Sequence, residues 1–173
     1  MRAIDLSLKI TLALVIGAFS MEKPVAEIGY QGIYKSGGQY RVKFNSNINL
    51  DLLRSEINKE KVVSRRLVCS LLDDADFSVK HNLTKFFRGN FSASALNSNS
   101  EIIPFKYESV GNFYFSQDRG TSKRVIDDID LIRILEMRTT IPCRVVMTIY
   151  LRKPYYSTTM HIPAADIVAE VNR

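Results

Sequence analysis

The chain is poor in the residues that usually carry chemistry. Of its 173 residues only two are histidine, His81 and His161, and only two are cysteine, Cys69 and Cys143. No H-x-x-x-H or C-x-x-C spacing exists, so the sequence encodes neither a histidine-pair zinc centre nor a dithiol redox motif. No serine stands in G-x-S-x-G, and Ser36-Gly37-Gly38 lacks the G-x-x-x-x-G-K pattern of a phosphate-cradling loop. A serine or cysteine hydrolase needs a histidine beside its nucleophile, and nothing in the spacing supplies one. No block of five or six like charges occurs, which excludes a nucleic-acid-binding tail. The expectation is a protein that is not an enzyme, with no cofactor and no nucleic-acid partner.

Long apolar runs are missing as well, with one exception. Residues 10–19 form a run of about ten, short of the roughly 20 needed to span a bilayer. Arg2 and Lys9 flank a charged start, with Asp5 as its one acid, and Ala18-Phe19-Ser20 ends in small residues where a signal peptidase cuts. The pattern predicts a cleaved export signal over residues 1–20; an uncleaved helix, or a start at Met21, is the alternative. No cysteine follows the run, so a lipid anchor is not expected. The address is periplasmic or secreted, with no transmembrane anchor after cleavage.

The remaining residues 21–173 have the length of one domain, and 46% hydrophobic with 24% charged residues suits a folded core. Net charge is +6, one unit lower once the signal is lost. The cations are scattered over Arg65, Arg66, Lys80, Lys85, Arg88, residues 119–124, Arg152 and Lys153. Such a surface fits an acidic partner, or serves solubility alone. An even cysteine count in an exported chain predicts one structural disulfide, Cys69–Cys143, against the alternative of two buried thiols.

Residues 28–34 and 39–44 read as a hairpin turning at residues 35–38, where glycine supplies the positive φ of a tight turn. Leu50, Leu53 and Ile57 recur at helical spacing, so residues 49–60 predict a helix capped by Asn47 or Asn49. Residues 61–72 read as a strand. Val79, Leu83, Phe86 and Phe87 predict a helix over residues 75–88 that stops at Gly89. A polar loop over residues 92–100 precedes a second hairpin, residues 101–108 and 112–117, through a turn at 109–112. Residues 119–124 read as a basic loop, and residues 125–137 fit helix or strand. Unbroken alternation from Ile141 to Leu151 gives the clearest strand. Pro154 turns the chain, residues 156–162 return, and Pro163 opens a short helix at its first position. The expected fold is α+β: a single domain rich in antiparallel sheet, with two to four short helices and one disulfide. An all-β sandwich is the second choice.

Two acidic triplets stand out, Asp73, Asp74 and Asp76, and Asp127, Asp128 and Asp130. Adjacent carboxylates can hold a hard cation or divide into acid and base, but neither triplet fits a calcium loop, and each precedes or opens an apolar-periodic segment where aspartate caps helices. Metal binding is therefore not expected. Arg152, Lys153, Tyr155 and Tyr156 form an aromatic-basic turn of the composition that concentrates binding energy. Asn82 and Asn90 open glycosylation sequons, read as chance in a chain whose signal looks bacterial. The favoured function is a non-catalytic periplasmic or secreted binding protein, an inhibitor or immunity-type factor acting by protein–protein contact on an envelope or secreted partner. The alternatives are an accessory subunit of an envelope assembly (pilus, secretion or conjugation) and a cell-wall hydrolase using the aspartates.

Overall fold

Residues of alternating inward and outward side chains build one antiparallel sheet. The computed structural model describes residues 23–53, 62–73, 75–78, 80–94, 104–117 and 122–173. The expected export signal, most of the helix expected over 49–60 and residues 95–100 of the polar loop lie outside them. The strands are β1 (Ile28–Ser36), β2 (Gln39–Ser46), β3 (Val62–Ser70), β4 (Lys85–Ala93), β5 (Phe105–Gln117), β6 (Ser122–Val125), β7 (Thr140–Ile149), β8 (Tyr155–Tyr156) and β9 (Met160–Pro163). Their order is β1-β2-β5-β4-β3-β7-β8, with β6 on β5 beyond β2 and β9 on β7 beyond β8. Helix α1 is described over residues 50–53, α2 spans Asp128–Leu135 and α3 spans Ala164–Val171. The domain is therefore sheet-rich, with short helices. No helix among the described residues is long and apolar enough to cross a membrane.

The β1–β2 turn is tight because Gly37 and Gly38 take φ of 60° and 75°, the left-handed pair that matches strand twist. At α1, the Asn49 side chain accepts from the Asp51 and Leu52 amides at 2.9 and 3.1 Å, so Asn49 is the cap. The sheet curls until its first strand meets its last. The Thr158 amide donates to the Ala26 carbonyl at 2.8 Å, and the Ile28 amide donates to the Thr158 hydroxyl at 3.3 Å. Inside the curve lie Phe44, Leu67, Phe87, Phe113, Val145 and Met147, with α2 and α3 contributing Leu131, Leu135 and Ile167. Tyr40 meets Phe113 edge-on at 4.8 Å between ring centres. Burial of each such side chain stabilises by roughly 1.5–3 kcal/mol. Cys69 and Cys143 face each other across β3 and β7 and are joined as a disulfide.

Four expectations are corrected. The described residues of 75–88 form no helix: residues 75–78 and 80–84 are irregular and Lys85 begins β4, because Phe87 belongs to the core and Phe86 to the opposite face. Residues 109–112 are not a turn but the middle of β5. Gly111 lies opposite Gly89, and a Cβ on it would overlap the Arg88 carbonyl, so the glycine allows close strand approach instead of reversal. Part of the basic loop is strand β6. Within residues 125–137, left open between helix and strand, Asp128–Leu135 form helix α2 while Val125 ends β6; the helix is begun by Asp127, whose carboxylate accepts from the Asp130 amide at 2.8 Å. Pro163 stands one position earlier than expected, at the N-cap of α3.

Candidate functional site

The aromatic-basic turn follows β7, and its exposed face differs from expectation. β7 stops at Ile149, so the alternation that ran on to Leu151 in the sequence breaks two residues early. Tyr150 is 60% exposed and Leu151 86% exposed. Leu151 has a φ of 56°, a left-handed conformation that costs a branched side chain about 1–3 kcal/mol. The turn is closed by the Arg152 amide donating to the Ile149 carbonyl at 3.4 Å. Arg152 and Lys153 are exposed beside these two apolar groups. Tyr155 is not available to a partner, which corrects the expectation for that residue. It is buried, its hydroxyl accepting from the Ala26 amide at 2.7 Å and donating to the Pro24 carbonyl at 2.9 Å. Tyr156 is half-buried, opposite Val146 in the β7–β8 pair. The contact-capable groups of this turn are thus Tyr150, Leu151, Arg152 and Lys153, held on a strand that the disulfide ties to β3.

A second feature lies on the convex face, where outward residues of β3, β4 and β7 are overlaid by the irregular segment before β4. Phe77 of that segment is buried and Leu83 half-buried. Between segment and sheet is a cavity of about 230 Å³, lined among others by Arg66, Arg88, Lys123 and Phe86. Arg88 stacks its guanidinium over the Phe86 ring at 5.1 Å and Lys123 its ammonium at 5.7 Å. Burial, and next the charge of Arg66, lowers the Arg88 pKa from its ordinary value; burial, then Arg88 and Arg66, lowers that of Lys123. Among the described residues no carboxylate pairs with any of the three, and the buried Nε of Arg88 has no hydrogen-bond partner. In the sequence these cations were three among many. The strand register alone brings them together.

The described aspartates of both triplets make contacts within the fold. Asp73 holds Arg138 at 2.8 Å, and Asp76 accepts from the Ser78 amide at 2.8 Å, while Asp74 lies outside the described residues. Asp127 caps α2, Asp128 pairs with Lys35 at 2.7 Å, and Asp130 faces Arg124 and Arg133 at 3.8 and 3.7 Å. Hydrogen bonding from Lys35 holds the Asp128 carboxyl below its usual range. No group of three metal-ligating side chains converges among the described residues. His81 lines the cationic cavity, whereas His161 lies in a separate surface depression, its Nδ1 at 3.4 Å from the Thr140 hydroxyl. The two histidines therefore share no site.

No protein-family model, no curated protein and no solved structure matches the chain.

Proposed function

We propose that residues 21–173 are an exported, non-catalytic α+β binding domain, an inhibitor or immunity-type factor acting by protein–protein contact in the cell envelope. The observation that carries this reading is the turn after β7: an exposed tyrosine and leucine beside two cations, with Leu151 held in a left-handed conformation at the tip. Strain of that kind persists only where surrounding structure fixes it, and it clusters at ligand clamps. A turn already fixed in one conformation loses little entropy on docking. Leu151 and Tyr150 supply apolar area for a partner's pocket, and Arg152 and Lys153 match an acidic rim. A disulfide between strands, together with the signal-like first twenty residues, supports export to an oxidising compartment.

Support for the assembly-subunit reading is weaker, because the first and last parts of this sheet hydrogen-bond to each other instead of offering a long free edge. Capture from envelope extract tests the proposal. The wild-type domain should retain a partner that the Tyr150→Ala, Leu151→Gly double variant loses, while both melt alike. Equal capture by the two would defeat the reading.

A further inference from the structure

We infer that the cavity between residues 77, 78 and 81–83 and the convex sheet face is a binding site for a phosphate monoester. This goes beyond the proposed protein contact and stands on different residues, so either can fail without the other.

Three observations lead there. The first is charge: Arg66, Arg88 and Lys123 line one cavity with no described carboxylate to neutralise them. Like charges gathered on a half-buried surface oppose folding; burial first, and then the neighbouring cations, lower the pKa of Arg88 and Lys123. The second is an unmet hydrogen bond. The Arg88 Nε is buried without an acceptor, and a buried donor left unpaired destabilises the fold. Phe86 keeps Arg88 and Lys123 over its ring at 5.1 and 5.7 Å, so the cations are held near one another without an acid. The third is size and lining. About 230 Å³ is below the roughly 300–1,000 Å³ of pockets that enclose whole cofactors, so one compact group enters.

The ligand class follows from these. A carboxylate brings one charge; a phosphate monoester brings about −1.5 to −2 and three strong acceptor oxygens, a better match for two guanidinium forks and an ammonium. The hydroxyls of Ser64, Ser116 and Thr148 line the same cavity and can donate to remaining oxygens. Leu83, Val68 and Val146 form an apolar wall against which the ester's organic part can lie. Binding here is recognition only, and no bond is made or broken.

The test uses the mature, oxidised domain at constant ionic strength in chloride. Phosphate, phenyl phosphate and acetate are titrated by calorimetry, with two-dimensional NMR locating the perturbed amides. Phenyl phosphate should bind saturably at the Arg66, Arg88 and Lys123 positions, more tightly than phosphate and at least tenfold more tightly than acetate. Arg88→Gln and Lys123→Gln should each weaken phenyl phosphate about tenfold or more. Their ligand-free melting temperatures should stay level or rise, since each removes a repelled charge; Arg66→Gln is the second line of variants should either fail to fold. Sedimentation with phosphatidic acid vesicles, against phosphatidylcholine vesicles, distinguishes a lipid headgroup from a soluble ester as the source. Equal affinity for acetate and phosphate, or unchanged binding in the neutralised variants, would overturn the inference.

Discussion

Removing one oxygen atom from Tyr155 should loosen the seam where the sheet closes. In Tyr155→Phe the ring still fills its buried position, so apolar burial is nearly unchanged and only the hydroxyl's two hydrogen bonds are lost. Pro24 is exposed, so its carbonyl can turn to water at little cost. Ala26 is fully buried, and its amide is left without an acceptor. An orphaned buried donor costs about 1–3 kcal/mol, which sets the expected loss at about 2 kcal/mol. For a domain of this length that lowers the melting temperature by roughly 4–8 °C. Calorimetry gives the magnitude, and hydrogen exchange at the Ala26 amide gives the location, since that proton should lose its protection before the core strands do. Tyr155→Ala should cost more, about 3–5 kcal/mol, because the aromatic ring is lost as well. A drop under about 1 °C in Tyr155→Phe, with Ala26 still protected, would refute the seam as described.

Replacing both Cys69 and Cys143 with alanine should lower unfolding free energy by up to about 4 kcal/mol, since the bond closes a loop with a sequence separation of 74; thiol labelling of the denatured, unreduced wild type should find no free thiol. Leu151→Gly should leave the melting temperature within about 3 °C of wild type, because relief of the left-handed leucine offsets glycine's added chain entropy and the side chain is 86% exposed. The pH dependence of Glu108 is also defined: burial pushes its carboxyl up, but hydrogen bonds from Tyr34 and Arg41, at 2.6 and 2.8 Å, outweigh it and hold the group low. Its stabilisation is present above the unfolded-state glutamate pKa, about 4.3, and disappears as pH falls through the lower folded value. Urea unfolding of Glu108→Gln should therefore fall short of wild type at pH 7 and converge with it near pH 2; a constant gap would contradict the assignment. Mass spectrometry of the exported protein should find Met21 as the first residue, and recovery of the full-length chain would contradict cleavage after Ser20.

Where one face of a strand was apolar and the other polar, the sequence was readable. β7 was plain from Ile141 to Ile149, the β1–β2 hairpin from its paired glycines, and the cysteines from their count. Misreading began where a strand is apolar on both faces. Phe86 and Phe87 are neighbours on opposite sides of β4, one under the irregular segment and the other in the core, and with Val79 and Leu83 they imitate a helical stripe. Gly111 misled differently, because a glycine that admits a neighbouring strand carries the same letter as one that turns the chain. At the turn after β7, parity could not tell that the strand stops before Leu151 and that Tyr155 points inward. The cationic cavity left no local signal. Arg66, Arg88 and Lys123 come from three strands, and long-range register is what gathers them.

The claim that the turn after β7 is the contact surface is tested most directly by photo-crosslinking in the living cell envelope. A photoreactive phenylalanine analogue would be placed at Leu151, and in a separate chain at Gln39, an exposed position beside the β1–β2 turn. The account predicts a discrete crosslinked protein from position 151 and none from position 39. It also predicts loss of that product when Arg152 and Lys153 are changed to glutamate. Crosslinks of equal yield at both positions, or a product at neither while the domain is folded and exported, would contradict it.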